Sequence, residues 1–173
     1  MPDRTPSQTA GPFFSFGLCV LPAADLSPPD APETITIEGR VLDGAGEGIH
    51  DALVEIWQAD AGGEYRRDWG WARCGTDADG GFRFHTVKPG SVPSTQGSMQ
   101  SPHLEVIVFA RGLLKHTLTR MYFPDEEEAN AADEVLASLD GDERSTLIST
   151  RRNGSYVFDV QLQGERQTVF FAL

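Results

Sequence analysis

The stretch VEIWQADAGGEYRR, residues 54–67, opens as an alternating strand and breaks at a pair of glycines beside an aromatic residue. Val54 and Ile56, with Gln58 next in the series, point one way, and Glu55 and Trp57 point the other. This period of two belongs to a sheet whose faces meet different surroundings. Gly62 and Gly63 then supply the permissive backbone of a sharp turn. Many sheet proteins could contain such a unit, so its meaning depends on its neighbours.

Working outward, residues 34–42 alternate through Ile35, Ile37 and Val41, and the Gly-rich residues 43–48 lead into residues 52–58, which predicts a hairpin. A second Gly-rich turn, residues 77–81, leads into 82–87, with Phe82 and Phe84 on one face. Residues 104–110 are almost continuously apolar, as in a strand buried on both sides. Residues 114–123 and 156–163 alternate again, and 168–172 closes the chain as a last strand. Only one helix is predicted with force: Asp125 is its N-cap, the acids behind it suit the positive end of the dipole, and Ala131, Val135, Leu136 and Leu139 recur at helical spacing. Residues 142–149 add a short second helical turn. The fold class is therefore all-β, a two-sheet β-sandwich with one or two short helices. Residues 1–32, rich in Pro, Gly, Ser and Asp, form an N-terminal arm ahead of the sandwich at 33–173. Phe13, Phe14 and Phe16 predict that the arm packs on its own domain or on a partner, with a disordered tail as the alternative.

The chain has 173 residues, enough for one domain with a proper core. Fourteen basic side chains against 26 acidic ones give a net charge of −12, which argues against a nucleic-acid partner. Part of that acid lies in residues 125–128, a solvated helix start. Cys19 and Cys74 have neither metal-knuckle spacing nor the density of a secreted scaffold and read as thiols. The polar residues 1–8 lack the apolar core of a leader, and no run of about 18 apolar residues occurs, so a soluble, cytoplasmic protein without an anchor is expected.

Chemistry-bearing patterns are sparse. His50, His85, His103 and His116 stand too far apart in sequence for a self-sufficient metal site. His103 and Glu105 would share one face of a strand and could form a ligand pair, although a polar residue at a strand start is the plainer reading. GAGEG at 44–48 lacks the following helix of a nucleotide fingerprint. Serine-nucleophile signatures are missing, and neither cysteine carries the flanks of an activated thiolate.

Five segments together resemble the intradiol ring-cleaving dioxygenases: TPSQTAGP (5–12), VEIWQADAGGEY (54–65), TVKPG (86–90), FARG (109–112) and RMYF (120–123). They follow the family's order and spacing over nearly the whole chain, and they are most similar to the alpha-type chain of those members built from an alpha and a beta chain. The resemblance implies intradiol cleavage of 3,4-dihydroxybenzoate by O2 to 3-carboxy-cis,cis-muconate. It also implies one Fe(III) held by two tyrosinates and two histidines of the beta subunit. Here that ligand set is broken. Val92 stands where a ligand Tyr belongs, His103-Leu104-Glu105 replaces His-x-His, and the loop before Cys74 that would carry the other Tyr is short. Only His103 is a remnant, and Tyr65, Tyr122 and Tyr156 are each expected to be packed with a bonded hydroxyl.

The resemblance assigns to this chain a share of the substrate pocket at the interface, through Thr9, Ala10, Gly11 and Pro12 and through Arg111. Gly11 would let backbone approach an aromatic ring, and Pro12 would fix the turn presenting it. Arg111 would offset charge on a catecholate or ring carboxylate, or would form a salt bridge across the interface. The competing readings are a non-catalytic β-sandwich binding or assembly module, and a self-contained metalloenzyme using His103 and Glu105, which would need further ligands.

Overall fold

Eleven strands are set out in the computed structural model, which describes residues 17–18, 24–27, 33–95 and 97–172. They are β1 (Ile35–Leu42), β2 (Leu53–Gln58), β3 (Trp71–Gly75), β4 (Gly81–Thr86), β5 (Val92–Pro93), β6 (Met99–Gln100), β7 (His103–Phe109), β8 (Thr117–Tyr122), β9 (Thr150–Arg152), β10 (Ser155–Val157) and β11 (Val160–Gln161). One sheet is centred on β1, which pairs antiparallel with β4 on one side and parallel with β10 and β11 on the other, while β9 extends β10. The second sheet is fully antiparallel in the order β3-β2-β7-β8. Between the sheets lie Ile37, Val41, Phe82, Phe84 and Tyr156 from the first and Val54, Ile56, Leu104, Val106 and Val108 from the second. This is the expected sandwich.

The alternation read in residues 54–58 is real: Val54, Ile56 and Gln58 face the core, and Gln58 is a polar tie there rather than an anomaly. Its Nε2 donates to the Val87 carbonyl (2.9 Å) and the Ala59 carbonyl (3.2 Å), and its Oε1 accepts from the Thr86 hydroxyl (2.9 Å). The two carbonyl partners fix which end of the amide is nitrogen. A residue of the second sheet is thereby bonded to the end of β4 in the first. Just beyond it, the glycine turn closes on Asp60, whose Oδ1 accepts from the Gly62 and Glu64 amides and whose carbonyl accepts from the Gly90 amide. Gly63 has φ +82°, and a Cβ there would lie 2.1 Å from the Ser91 carbonyl oxygen, so the 62–63 and 88–91 turns meet backbone to backbone.

The structure corrects several expectations. Residues 34–42 and 52–58 do not form a hairpin: β1 and β2 lie in different sheets and face each other across the core. Both edges of β1 are occupied, by β4 and by β10 and β11, and the connection is too long to impose a tight two-residue turn. The predicted long helix is broken into α1 (Glu127–Ala132) and α2 (Glu134–Ala137), followed by α3 (Gly141–Ser145). Asp133 causes the break. It is extended (ψ 124°), and its side chain accepts from the Val135 and Leu136 amides, an alternative to continuing the helix. Asp125 caps nothing and instead accepts from Lys88 Nζ (2.9 Å) and the Tyr156 hydroxyl (2.9 Å). Burial alone would raise its pKa, but these bonds hold the carboxyl below the usual range. Residues 168–172 make no strand; a single bridge joins Phe171 to Leu118. Strand β7 is buried fully on its core side, while on the other Glu105, Ile107 and Phe109 are half-buried and His103 alone is enclosed. The cluster Phe13, Phe14 and Phe16 lies outside the described residues, whereas residues 24–27 run beside β4, with the Leu26 amide donating to the His85 carbonyl (2.7 Å).

Gln58→Leu should leave the Thr86 hydroxyl and the Val87 carbonyl without partners in the core. We expect a loss of about 2–4 kcal/mol in unfolding free energy by urea titration, with an unchanged m-value.

Candidate functional site

The outer face of the second sheet collects the polar groups that the core excludes. Register sets them in rows: Trp71, Trp57, Glu105 and Arg120 stand side by side across the four strands, and Arg73, Glu55, Ile107 and Leu118 form the next row. Within these rows the charges pair with one another. Arg73 bonds Glu55, and Arg120 donates to Glu105 Oε1 through Nε (2.9 Å) and Nη2 (2.8 Å). Arg120 also donates to Gln100 Oε1 (2.9 Å), which links the β5–β6 hairpin to the sheet.

One end of this face is roofed by the helices. Tyr122, opposite His103, packs with Leu136 and Leu147, and its hydroxyl donates to Asp133 Oδ1 (3.3 Å). The other Asp133 oxygen accepts from the Ser101 amide (2.9 Å), and Ser101 Oγ donates to Asn130 (2.6 Å). His103 is enclosed here, its side chain 2% exposed. Its Nδ1 donates to the Ser101 carbonyl (2.7 Å), which fixes the tautomer and leaves a lone pair on Nε2. Among the described residues Nε2 has no hydrogen-bond partner and lies 3.8 Å from Glu105 Oε1, acceptor facing acceptor. Burial, followed by the Arg120 charge, lowers the His103 pKa and keeps the ring neutral.

These groups do not fit a ferric ion. Among the described residues no three His, Cys, Asp or Glu side chains converge. His103 offers one nitrogen, and the charge of Glu105 is already met by the Arg120 guanidinium, where a trivalent cation would need several anionic donors. Val92 is buried and apolar in β5, paired with Gln100 in register, so it lies beside the same network and contributes no donor.

Other expected site residues separate from this cluster. Arg111 follows β7 at the opposite end of the sheet, 66% exposed, with Nε 3.1 Å from Asp51 Oδ2. Thr9, Ala10, Gly11 and Pro12 lie outside the described residues. The tyrosines divide: Tyr122 and Tyr156 are packed with bonded hydroxyls as expected, but Tyr65 is 49% exposed and stacks on Trp57 (ring centroids 6.3 Å, planes 11° apart). Arg120 was missed as a site residue although it opens the RMYF segment. The signal was available, since a β7–β8 hairpin folded about Gly112 sets Glu105 opposite Arg120. A solvent-open depression lined by Glu38, Arg40, Cys74, Asp77, Arg83 and Arg152 lies at the edge where β3 and β4 meet, and its Arg83–Glu38 pair (2.9 Å) is more exposed than the Arg120–Glu105 pair.

The Dioxygenase family matches residues 23–164 of the chain. The chain belongs to the intradiol ring-cleavage dioxygenases. It is 41% identical to the protocatechuate 3,4-dioxygenase alpha chain of Pseudomonas putida, over 97% of this chain and 96% of that one. It is 34% identical to the protocatechuate 3,4-dioxygenase beta chain of Burkholderia cepacia, over 79% of this chain and 67% of that one. Among solved structures, the dioxygenase domain of a dioxygenase carbohydrate-binding protein fusion from Streptomyces sp. SirexAA-E superposes with a TM-score of 0.66 at 26% identity, covering 94% of this chain and 99% of that one. The chain thus resembles both an alpha and a beta chain, and the alpha chain over more of its length. No helix among the described residues is long and apolar enough to cross a membrane.

The folded pKa of His103 lies below its ordinary 6.5, so the neutral ring stabilises the fold above that value, and the contribution fades as pH falls below it. His103→Asn keeps a donor near Nδ1 and removes the titration. Urea unfolding between pH 8 and 5 should show the wild type losing up to about 1.4 kcal/mol per pH unit more than the variant at the acid end.

Proposed function

We propose that this chain is the iron-free alpha subunit of a cytoplasmic protocatechuate 3,4-dioxygenase. The complex would cleave 3,4-dihydroxybenzoate between its hydroxyl-bearing carbons with O2, giving 3-carboxy-cis,cis-muconate. Fe(III) belongs to the partner beta subunit, and this chain completes an active site at the interface. The observation that carries the reading is the Glu105–Arg120 pair: in a chain alpha-like over almost its whole length, the position of a second histidine is held by a carboxylate already neutralised by arginine.

The work left to this chain is binding and orientation. Thr9, Ala10, Gly11 and Pro12 lend a backbone edge to the aromatic ring, and Arg111 supplies a guanidinium for the ring carboxylate or the catecholate. Asp51 is a weak competitor for that role, because the Arg111 side chain is 66% exposed and pairs open to solvent contribute about 1 kcal/mol or less. Closure of the two chains over the substrate excludes water and fixes its orientation.

Co-expression with the cognate beta chain tests this directly, by iron content, visible absorption and protocatechuate-dependent oxygen uptake for each chain alone and for the pair. Iron and turnover should appear with the beta chain present and not in this chain alone; colour and iron in this chain by itself would overturn the reading. In the assembled pair Arg111→Ala should lower kcat/KM by about tenfold to a hundredfold, the loss of one charged contact. Unchanged kinetics would remove Arg111 from the pocket and leave the subunit assignment standing.

A further inference from the structure

Arg111 is held from outside its own hairpin. Register sets Leu53 of β2 opposite Phe109 of β7, and two residues further out along each chain Asp51 and Arg111 meet as an ion pair. Asp51 does not stand on a free loop. Before it, the Ile49 amide donates to the Val41 carbonyl (2.8 Å), and the Ile49 carbonyl accepts from the Thr76 hydroxyl (2.7 Å). After it, the Ala52 amide donates to the oxygen of that same hydroxyl (2.9 Å), and the Ala52 carbonyl accepts from the Thr76 amide (3.0 Å). Ala52 and Leu53 are buried, so the backbone that carries Asp51 is fixed on both sides. Arg111 is fixed at its base as well: Ala110 is buried, its carbonyl accepts from the Leu113 amide (3.3 Å), and Gly112 turns the chain at φ +83°.

The carboxylate itself is half-enclosed. Oδ1 is buried and, among the described residues, has no hydrogen-bond partner, while Oδ2 lies 3.1 Å from Arg111 Nε. With one oxygen desolvated and undonated, the carboxylate depends on its counter-charge, and among the described residues Arg111 is the cation that supplies it. A guanidinium is planar and offers its donors along fixed edges. Asp51 lies against Nε, which leaves the edge formed by the two terminal amino groups open to a second anion. Solvent screens a pair this exposed, so Asp51 weakens the attraction of Arg111 for an anion only slightly. What the pair supplies is direction. A long side chain already drawn into one rotamer loses less freedom when a ligand arrives, and a bidentate contact needs the fork correctly aimed.

We infer that Asp51 is a positioning residue: through its ion pair with Arg111 it aims the terminal edge of the guanidinium at an anionic group of the substrate. The inference rests on the reading of Arg111 as a substrate contact in the assembled enzyme, and it adds the residue that orients that contact.

The test uses the co-expressed pair and steady-state oxygen uptake with protocatechuate. Asp51→Ala should raise KM about fivefold with kcat within about twofold of wild type, because an orienting contact acts on bound substrate and transition state alike. Asp51→Asn keeps the shape and an acceptor beside Nε, and it should recover most of that loss. In an Arg111→Ala background, Asp51→Ala should change KM by less than about 1.5-fold, a non-additivity that a merely structural role would not produce. Arg83→Ala, which breaks the exposed Arg83–Glu38 pair of the first sheet, should leave KM unchanged. An unchanged KM in Asp51→Ala, with Arg111→Ala still impaired, would overturn the inference and leave Arg111 in the pocket. A lowered KM would do the same, by showing that Asp51 competes with the substrate for Arg111. A loss that persists undiminished in the Arg111→Ala background, or one that Arg83→Ala matches, would also overturn it. If Arg111→Ala itself has no effect, both residues leave the pocket and the inference fails while the subunit assignment stands. An assembled pair without protocatechuate turnover would overturn the functional reading, and the role of Asp51 with it.

Discussion

The Gln58 side chain holds the two layers in a fixed relation. A sandwich held only by apolar contact can slide, because dispersion and hydrophobic burial carry little directional information. A buried amide with both of its ends bonded does carry it: the Thr86 hydroxyl and the Val87 carbonyl give Gln58 one position relative to β4. The glycine turns at 62–63 and 88–91 then seat against each other at a separation only hydrogen can occupy. From that hub the chain departs in both functional directions, to Tyr65 on one side and to Val92 and the β5–β6 hairpin on the other. Gln100 at the end of the hairpin holds Arg120, so the geometry around His103 follows from a contact made in the core.

At the roofed end, one acidic side chain decides what the sheet can do. A His-x-His pair on one strand face offers two neutral donors and leaves charge balance to a metal. Glu105 beside His103 brings a negative charge, and the nearest compensating cation is the guanidinium of Arg120 on the neighbouring strand. The balance is then complete without an ion. Iron would have to separate the pair and leave Arg120 uncompensated in a half-buried site, which costs several kcal/mol before any ligand bond is counted. The neutral His103 beside the pair is consistent with this, since a second cation so close to Arg120 is disfavoured by the same electrostatics.

The sequence made the sandwich legible because alternation in 34–42, 54–58 and 82–87 is a direct consequence of one buried face per sheet. It did not show which strands neighbour one another. That choice depends on contacts far apart in the chain, and β1 turned away from β2 because β10 and β11, more than a hundred residues later, fill its edge. Local chemistry misled at Asp125 and Asp133. Both are acids near helix starts, but Asp125 lies within reach of Lys88 and Tyr156, while Asp133 has the amides of Val135 and Leu136 before it. The short strand β3 falls in the segment expected to be a loop before Cys74: its outer residues Trp71 and Arg73 are amphipathic and rest partly in solvent, which masks their alternation with the core-facing Ala72 and Cys74.

The same reasoning explains why the candidate site was only half visible. His103 and Glu105 are two residues apart and their shared face can be counted from the sequence, but Arg120 becomes their partner only through hairpin register. Trp57 and Tyr65 are separated by the glycine turn, so their stacking is a product of the fold about Gln58 and not of any local period. In both cases a long-range constraint brings together groups whose individual sequence signals are weak.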